Sequence, residues 1–525
     1  MSIKTYKIIT ALICTICILS IQQSHSQESD DSLNAKIYSL SLEELMNIKV
    51  TGASNIITNE KSMPVSVTTI SSKQLMLSGA RTLSEAIMVY VPGFFLTEDQ
   101  DDYIAGFRGL SPDNNSKILL LLTCQKLTNE WFWGAPTALL PSINFDYIEK
   151  VEIIRVPGSV TLGQGALLGV INIITKLSGD LNDFENNDVS VFGGNNDYIG
   201  VNVGTSIQDK DFNAYFHIAS ANYNGQTIRN EGWARDKINA GYKGGTVFDI
   251  GTRLKRCKND FVFGRLNFGN NSFQFLYSDI KKDLYNFYRD RNVFEEMLAS
   301  LYYTNNINIS KKVKLKTDFS YSFNNFNLES VDGFTMGGIR ENRYGVKSIA
   351  NIDNLIPHNM LAVGIEFERY EFGRKNLDGN NFINNLVDTN TINHYSNYLV
   401  YSNQNKIWGY SGNINVTSFI LENIYTLYKD YNLIAAARFD IHPYWGSNIS
   451  PRFGIVASPH EKLHIRLTYQ TGFRGASGLH YIGGYRNDGF LYEDNFDKVA
   501  AANIPIFQDT VPTAEIEQNI AKVKP

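Results

Sequence analysis

The chain is poor in cysteine and histidine, and these shortages exclude whole classes of protein. Its 525 residues include 4 Cys and 8 His. Only Cys124 and Cys257 follow the first 27 residues. Two cysteines do not make a disulfide framework, although an oxidising compartment would permit one bridge. The histidines beyond that segment are scattered singly, without the spacing of metal ligands. We therefore predict neither a metal site nor a bound cofactor.

An excess of basic charge and the motifs of common enzymes are also missing. The formal net charge is -5, which provides no electrostatic footprint for nucleic acid. The sequence contains no Gly-x-Ser-x-Gly elbow or comparable catalytic cluster. The glycine-rich tract at 163–169 resembles a dinucleotide loop, but its spacing is one residue too long and a strand follows it instead of a helix. These absences argue against an enzyme and against a nucleic-acid-binding protein.

Long apolar runs are missing too. Residues 1–27 have the pattern of a signal peptide, because Lys4 and Lys7 precede an apolar stretch and small residues follow it. That stretch has about 14 residues, whereas a membrane-spanning helix needs about 20. No later apolar run approaches that length. If the exported protein enters a membrane, it must do so as a barrel, because only helices and closed barrels satisfy every backbone group in lipid.

Aromatic residues, in contrast, are abundant. The chain contains 29 Tyr and 31 Phe. Outer-membrane barrels carry aromatic girdles at both membrane interfaces, which would use such residues. A soluble β-sandwich could be equally rich in aromatic residues, so the composition leaves both architectures open.

Three zones follow the signal peptide. Residues 28–54 form a polar N-terminal extension, and residues 55–178 alternate short strands with helices, which predicts a compact α+β domain. Residues 186–525 alternate strands and polar turns almost without interruption. Within the second zone we predict helices at 72–77 and 82–89 and strands at 65–70, 118–122, 148–155 and 169–175.

The third zone alternates apolar and polar residues with the period of a strand. Clear examples lie at 313–323, 361–368 and 463–469. Such strands can face lipid outward and water inward, or they can pack an apolar face on the core of a large soluble sandwich. We favour the membrane barrel, because an export signal and strands of about ten residues accompany the pattern. Long polar stretches at 375–393 and 478–512 are typical of outer loops.

A family resemblance rests on several motifs in a fixed order. Residues 148–159 read IEKVEIIRVPGS, and LGQGA at 162–166 and GVINIITK at 169–176 follow. The upstream motifs are VSVTTI at 65–70, VPG at 91–93 and GFRG at 106–109. The downstream motifs are SPRFG at 450–454 and GFR at 472–474. This series resembles the TonB-dependent receptors, most strongly in their plug domain. The resemblance implies a transmembrane antiparallel β-barrel of the 22-stranded type with an N-terminal α+β plug domain.

The resemblance also implies roles for charged residues and for the segment before the plug. Arg108 and Arg155 are expected to meet acidic groups on the inner barrel wall, because the planar guanidinium suits carboxylates. A short segment resembles a TonB box, which would pair with the energy-transducing partner by strand addition. Its residues are Ile48, Lys49, Val50 and Thr51. A plain linker strand is the alternative interpretation of that segment.

Tight turns are expected in the plug, because it must fold inside a lumen and glycine permits positive φ or close backbone approach. The expected turn residues are Gly106, Gly109, Pro157, Gly158, Gly163, Gly165 and Gly169.

Two positions depart from the family pattern, and two tryptophans suggest a ligand surface. Thr123-Cys124 replaces the usual Asp-Gly or Asn-Gly turn, where Cys124 would fit a positive φ poorly. Val156 replaces a glycine. Trp131 and Trp133 could line a ligand surface, although packing against the barrel wall is the preferred interpretation.

The strand count predicts an incomplete barrel. Residues 186–525 suffice for about 14 strands at about 25 residues per strand and connection, and the tail lacks the aromatic strand that usually ends such barrels. We therefore expect about eight strands to be missing from a 22-stranded wall. The wall should be open, with its first and last strands unpaired, an arrangement that lipid does not tolerate.

The function predicted from these features is active import across the outer membrane of a Gram-negative cell. The resemblance implies a monomeric receptor in outer-membrane lipid that works with a TonB-type periplasmic protein. Its cargo would be a scarce small molecule or metal chelate, such as an iron siderophore, haem or cobalamin. Two alternatives stay open: a passive pore or adhesin-like barrel, and a truncated receptor fragment without function.

Overall fold

The computed structural model describes residues 54–56, 65–98, 103–111, 115–130, 139–140, 142–177, 187–227, 253–254, 256–284, 292–329, 335–373, 412–428, 431–443, 445–460 and 463–475. All of them lie in one compact unit, Lys49–Pro525. The predicted signal peptide, the segment 48–51, Trp131, Trp133 and the loops at 375–393 and 478–512 lie outside these ranges. Within these ranges no helix is long and apolar enough to cross a membrane.

Residues 67–175, which we call the small domain, form a mixed sheet with short helices. The elements are β1 (Val67–Ser71), α1 (Ser72–Leu77), α2 (Leu83–Tyr90), β2 (Phe94–Glu98), β3 (Tyr103–Phe107), β4 (Ile118–Leu122), β5 (Gln125–Lys126), β6 (Ile148–Ile154), α3 (Ser159–Leu162) and β7 (Gly169–Thr175). Five strands hydrogen-bond in the order β1-β6-β7-β4-β5, β4 and β7 run parallel, and β2 and β3 form a separate hairpin.

Local signals explain most of these elements. The Ser71 hydroxyl accepts a hydrogen bond from the backbone N–H of Gln74, and the Gln74 side chain accepts one from the Ser71 N–H, so a capping box starts α1. Thr82 caps α2 in the same way through the Glu85 N–H. The predicted helix at 72–77 and the strands at 118–122 and 169–175 are confirmed. The sequence does not predict the β2–β3 hairpin, because its five-residue strands show little alternation of apolar and polar residues.

The turn between β4 and β5 has an unusual backbone. Thr123 has φ 47° and Cys124 has φ 70°, and a two-residue hairpin turn of type I′ requires positive φ at both positions. The Thr123 N–H donates to the Ile173 carbonyl at 2.7 Å, and the Cys124 N–H donates to Oδ1 of Asn172 at 3.1 Å. These hydrogen bonds to β7 stabilise a left-handed backbone at a threonine and a cysteine, two residue types that rarely adopt it. Neither Cys124 nor Cys257 forms a disulfide within the described residues.

Restoring the usual turn residues should therefore stabilise the protein. We expect the double change Thr123→Asn and Cys124→Gly to raise the free energy of unfolding by about 1–2 kcal/mol, because it relieves left-handed strain. Denaturant unfolding in detergent measures this change. Asn196 has φ 63° in another turn, and Asn196→Thr, the opposite kind of exchange, should lower stability. An unchanged midpoint for the double variant would show that this turn stores no strain.

Residues 188–470 contain the second structure, an antiparallel sheet of 13 strands that we call the large sheet. Each strand pairs with its neighbours in chain order, and a separate pair, β11 (Gln226–Thr227) and β12 (Arg253–Leu254), lies in one connection. The strands of the large sheet are β8 (Asp188–Gly194), β9 (Tyr198–Asp209), β10 (Phe212–Tyr223), β13 (Cys257–Phe268), β14 (Asn271–Leu284), β15 (Asn292–Asn308), β16 (Val313–Glu329), β17 (Thr335–Asp353), β18 (Asn359–Gly373), β19 (Gly412–Tyr428), β20 (Tyr431–His442), β21 (Gly446–His460) and β22 (Leu463–Gln470).

The large sheet is open within the described residues. Its two edge strands, β8 and β22, do not pair with each other. This confirms the expected gap between the first and last strands for the part of the chain that the structure describes. Short connections such as 309–312 and 354–358 lie at one end of the sheet, the turn end. At the opposite end, the loop end, β18 ends at Gly373 and β19 begins at Gly412.

The burial of the large sheet is the reverse of that in a soluble protein. On β18, Ile365 and Phe367 are 48% and 44% exposed, whereas Glu366 and Glu368 are 5% and 6% exposed. The apolar residues of β22 are likewise exposed. A soluble sandwich would bury the apolar face, so this surface is suited to lipid. The small domain packs against the polar inner face, and Tyr147 also stacks near Phe261 of β13, with ring centroids 4.4 Å apart.

Candidate functional site

The contact between the small domain and the large sheet centres on Lys126, which the β4–β5 hairpin carries to the inner wall. The Lys126 ammonium lies 2.7 Å from Oε1 of Glu366 and 3.1 Å from Oε2 of Glu368. The lysine side chain is 10% exposed and both glutamates are buried. Because these charges are buried, replacing one partner alone would leave the others uncompensated, which costs more than the loss of a surface pair.

Arg438 on β20 completes the network from the wall side. Its Nη1 donates to Oε2 of Glu366, its Nε donates to Oδ1 of Asp440 and its Nη2 donates to the Ser418 hydroxyl, each at 2.7 Å. Arg343 on β17 binds Glu368 and also donates through Nη1 to the Thr128 carbonyl at 3.2 Å. The three cations and three carboxylates of this network balance in charge, as buried ions must.

The backbone of the small domain also lies directly on Arg438. Gly163 ends α3 with φ 87° and ψ -164°. A Cβ atom at this position would lie 2.9 Å from both Cζ and Nη2 of Arg438. Only glycine adopts this backbone conformation readily, and only its missing side chain leaves room for the guanidinium.

A second buried contact lies nearer the loop end. Both carboxylate oxygens of Glu130 accept from Nη1 of Arg474, at 3.1 and 3.0 Å. The Glu130 N–H donates to both carboxylate oxygens of Glu341 on β17, at 3.0 and 2.9 Å. Burial raises the pKa of the Glu130 carboxyl above its ordinary value, and Arg474 opposes that rise. Arg474 therefore contributes most to stabilising the charged form of Glu130, and Arg343 and Gln164 contribute less.

Hydrogen bonds without an ion pair make a third contact, with strands β9 and β13 of the large sheet. The Ser142 hydroxyl donates to Oδ1 of Asn259 on β13 at 2.7 Å, and Nδ2 of Asn144 donates to the Asn259 carbonyl at 3.1 Å. Asp146 accepts a bond from Asn202 of β9. Polar bonds thus join the small domain to widely separated strands of the large sheet.

Comparison with known proteins identifies the small domain. Residues 59–170 match the family model described as TonB-dependent Receptor Plug Domain. The chain carries a TonB-dependent receptor plug. This match and the antiparallel sheet around the plug together confirm the fold expected from the sequence, an α+β plug with a barrel that is unclosed within the described residues. Curated protein sequences gave no match to the chain.

Solved receptors share the fold at low sequence identity. A variant of the ferric enterobactin receptor of Pseudomonas aeruginosa superposes with a TM-score of 0.57 at 14% identity, covering 79% of this chain and 62% of that one. A siderophore receptor of Acinetobacter baumannii gives 0.55 at 16%, covering 85% and 64%. The alcaligin outer-membrane receptor of Bordetella pertussis gives 0.56 at 13%, covering 82% and 66%. The chain therefore spans less than two thirds of the length of these receptors.

The structure describes both arginines that the sequence predicts at the plug–barrel interface, and their pairing with acidic groups of the wall stays a prediction. Arg108 is exposed in the turn after β3, where its Nη2 donates to the Leu168 carbonyl at 3.4 Å. Arg155 is half-buried, and its Nε has no hydrogen-bond partner within the described residues. Neither forms an ion pair in the part of the chain that the structure describes. Among the described plug residues Lys126 does pair with wall carboxylates, Glu366 and Glu368.

The expected turn residues fall into three groups. Gly109, Gly163 and Gly165 have φ of 80°, 87° and 90° and do form turns. Gly106 and Gly169 lie within strands β3 and β7 instead, where they allow close packing: a Cβ on Gly106 would meet the Phe95 ring, and one on Gly169 would meet the Ile154 carbonyl. The remaining pair, Pro157 and Gly158, precedes α3, where a Cβ on Gly158 would contact Val170.

An aromatic cluster at the loop end was not expected from the sequence. Trp445 stacks on His442 with ring centroids 4.3 Å apart and packs edge-on against Phe473 at 4.9 Å. Phe473 in turn contacts the plug, because its N–H donates to the Ser159 hydroxyl at 3.0 Å. Single aromatic residues in barrel connections carry no sequence pattern that would reveal such a cluster. Within the described residues, no group of His, Cys, Asp or Glu is arranged to hold a metal ion.

Proposed function

We propose that this protein is an outer-membrane transporter of the TonB-dependent type that takes up a scarce solute, with an iron chelate as the first candidate. The observation that carries the proposal is the plug held on the charged inner face of a lipid-suited sheet by Lys126, Glu366 and Arg438. The names of the similar structures refer to enterobactin, siderophores and alcaligin. Haem and cobalamin are further cargo candidates.

The chemistry of the plug–barrel interface supports transport through plug movement. An apolar interface would expose its surface to water when the plug moves, at about 25 cal/mol per Å². Ion pairs such as Lys126–Glu366 can exchange their partners for water in a hydrated lumen, so separation costs less than it would in a dry core. The interface therefore gives the plug one defined docked position and still permits rearrangement.

We propose that the force for that rearrangement is transmitted to the plug through Ile48, Lys49, Val50 and Thr51. A TonB-type periplasmic protein would pair with this segment by strand addition and pull on it. The N-terminal signal of residues 1–27 is proposed to export the chain to the periplasm, from which it reaches the outer membrane.

Proline at position 50 tests this coupling. Val50→Pro should abolish energised uptake of a ferric chelate and leave its binding to the cell surface unchanged, because proline removes a backbone donor and breaks strand addition. Uptake and binding of radioactive iron are measured with a panel of catecholate and hydroxamate chelates in iron-starved cells. Val50→Ile keeps the β-branched side chain and the N–H, and serves as the matched control. Full uptake by the proline variant would remove residues 48–51 from the mechanism.

A further inference from the structure

Residues 54–56 lie on the inner face of the barrel, far in sequence from the strand that holds them. The Ser54 hydroxyl donates to Oε1 of Glu422 at 2.7 Å. The backbone N–H of Asn55 donates to Oε2 of the same carboxylate at 2.8 Å, and its Nδ2 donates to that oxygen at 3.4 Å. Glu422 is 1% exposed on β19. One buried carboxylate thus accepts three bonds from two consecutive residues, and hydrogen bonds to a charged acceptor are the strong ones.

The next residue, Ile56, adds an apolar contact to these hydrogen bonds. Ile56 is 4% exposed and packs in a pocket whose residues come from five barrel strands. The pocket residues are Ile349, Ala362, Ile424, Ile434 and Val456. On the other side of the segment, Nζ of Lys347 donates to Oδ1 of Asn55 at 3.2 Å. The segment 54–56 is therefore clamped by charge and by burial together.

The position of this clamp along the chain connects it to the proposed partner segment. Ser54 follows Thr51 by three residues, which span at most about 10 Å when extended. The first plug strand begins later, at Val67. A pull on residues 48–51 therefore reaches 54–56 before it reaches the plug sheet. Glu422 also lies toward the turn end of β19, which ends at Tyr428, and in barrels of this kind short turns face the periplasm.

We propose that Glu422 is the positioning residue of a latch, which consists of residues 54–56, the Glu422 carboxylate and the Ile56 pocket. The latch holds the start of the plug on the barrel wall and so limits how far the partner segment 48–51 extends from the barrel. A pull must break the Glu422 bonds and withdraw Ile56 before force reaches the plug. This inference rests on the proposed role of residues 48–51.

Chemical labelling of a cysteine next to the latch tests the proposal. In outer-membrane preparations of Lys49→Cys protein, the rate of modification by a bulky maleimide is measured at position 49 and, in the same sample, at Cys124 of the plug hairpin. Glu422→Ala should raise the rate at position 49 by roughly tenfold, because it removes hydrogen bonds to a charged group. Glu422→Gln keeps one acceptor oxygen and should give an intermediate rate. Ile56→Ala should also raise it.

A matched control and the Cys124 signal separate the latch from general damage. Asp318→Asn removes another charge of the inner wall, one that pairs with Lys316 on its own strand, and should leave the rate at position 49 unchanged. Unchanged labelling at position 49 in Glu422→Ala overturns the proposal. An equal rise at Cys124 also overturns it, since Glu422 would then stabilise the whole plug. The labelling needs no partner protein, so it is independent of the Val50→Pro result that tests the proposed function.

Discussion

Arg438→Ala should lower the free energy of unfolding by about 3–5 kcal/mol, because removing one partner of a buried ion network leaves the others uncompensated. The arginine holds Glu366, Asp440 and Ser418 together, and it is 1% exposed. Denaturant unfolding in detergent micelles measures the loss. Arg438→Lys should recover little of it, since a single ammonium cannot reproduce the three directed bonds of the guanidinium.

Arg369 on β18 is the matched control. It pairs with Glu371 at 3.0 Å, but its side chain is 40% exposed. Exposed ion pairs contribute about 0–1 kcal/mol, so Arg369→Ala should change stability little. Equal losses for the two variants would mean that the inner network has no special role in holding the plug.

Gly163→Ala should lower the free energy of unfolding by about 2–3 kcal/mol. The methyl group would occupy a backbone conformation almost restricted to glycine, and it would press on the Arg438 guanidinium at 2.9 Å. Gly109→Ala is the matched control, because Gly109 has φ 80° but open space where the Cβ would lie. That variant should lose only the strain of a left-handed residue, about 1–2 kcal/mol. If both variants lose the same amount, the contact between Gly163 and Arg438 contributes nothing measurable.

Local chemistry made much of the plug predictable. The helix Ser72–Leu77 and the strand Gly169–Thr175 have the predicted bounds, because a capping box and a run of β-branched residues specify them within a few positions. The left-handed turn at Thr123 and Cys124 could not be derived in this way. Its backbone is set by bonds to Ile173 and Asn172, and these partners come from a strand far along the chain.

The barrel strands show what alternation does and does not specify. The two faces of β18 were evident from the sequence, with Ile365 and Phe367 on one and Glu366 and Glu368 on the other. Alternation alone leaves open which face is buried. The predicted export signal and the strand lengths favoured lipid outside, and the exposed Ile365 and buried Glu366 agree with that choice.

The charged site was the least predictable part. Lys126 and Glu366 are separated by 240 positions, so no spacing in the sequence links them. Glu366 and Glu368 did carry a signal, because they lie on the polar face of a strand predicted to line the lumen. Lys126 carried none, and its role follows only from the docking of the β4–β5 hairpin. Arg108 and Arg155 match the family pattern, but that pattern alone does not specify which cation of the plug forms an ion pair with the barrel wall.

Uptake of a ferric chelate by iron-starved cells, measured before and after an uncoupler collapses the proton gradient, tests the central proposal most directly. The proposed transporter predicts saturable binding of the chelate at the cell surface that the uncoupler leaves intact, together with uptake that the uncoupler stops. Cells without the protein provide the background. Uptake that continues at the same rate after uncoupling would contradict the account, because it would show a passive pore through the barrel.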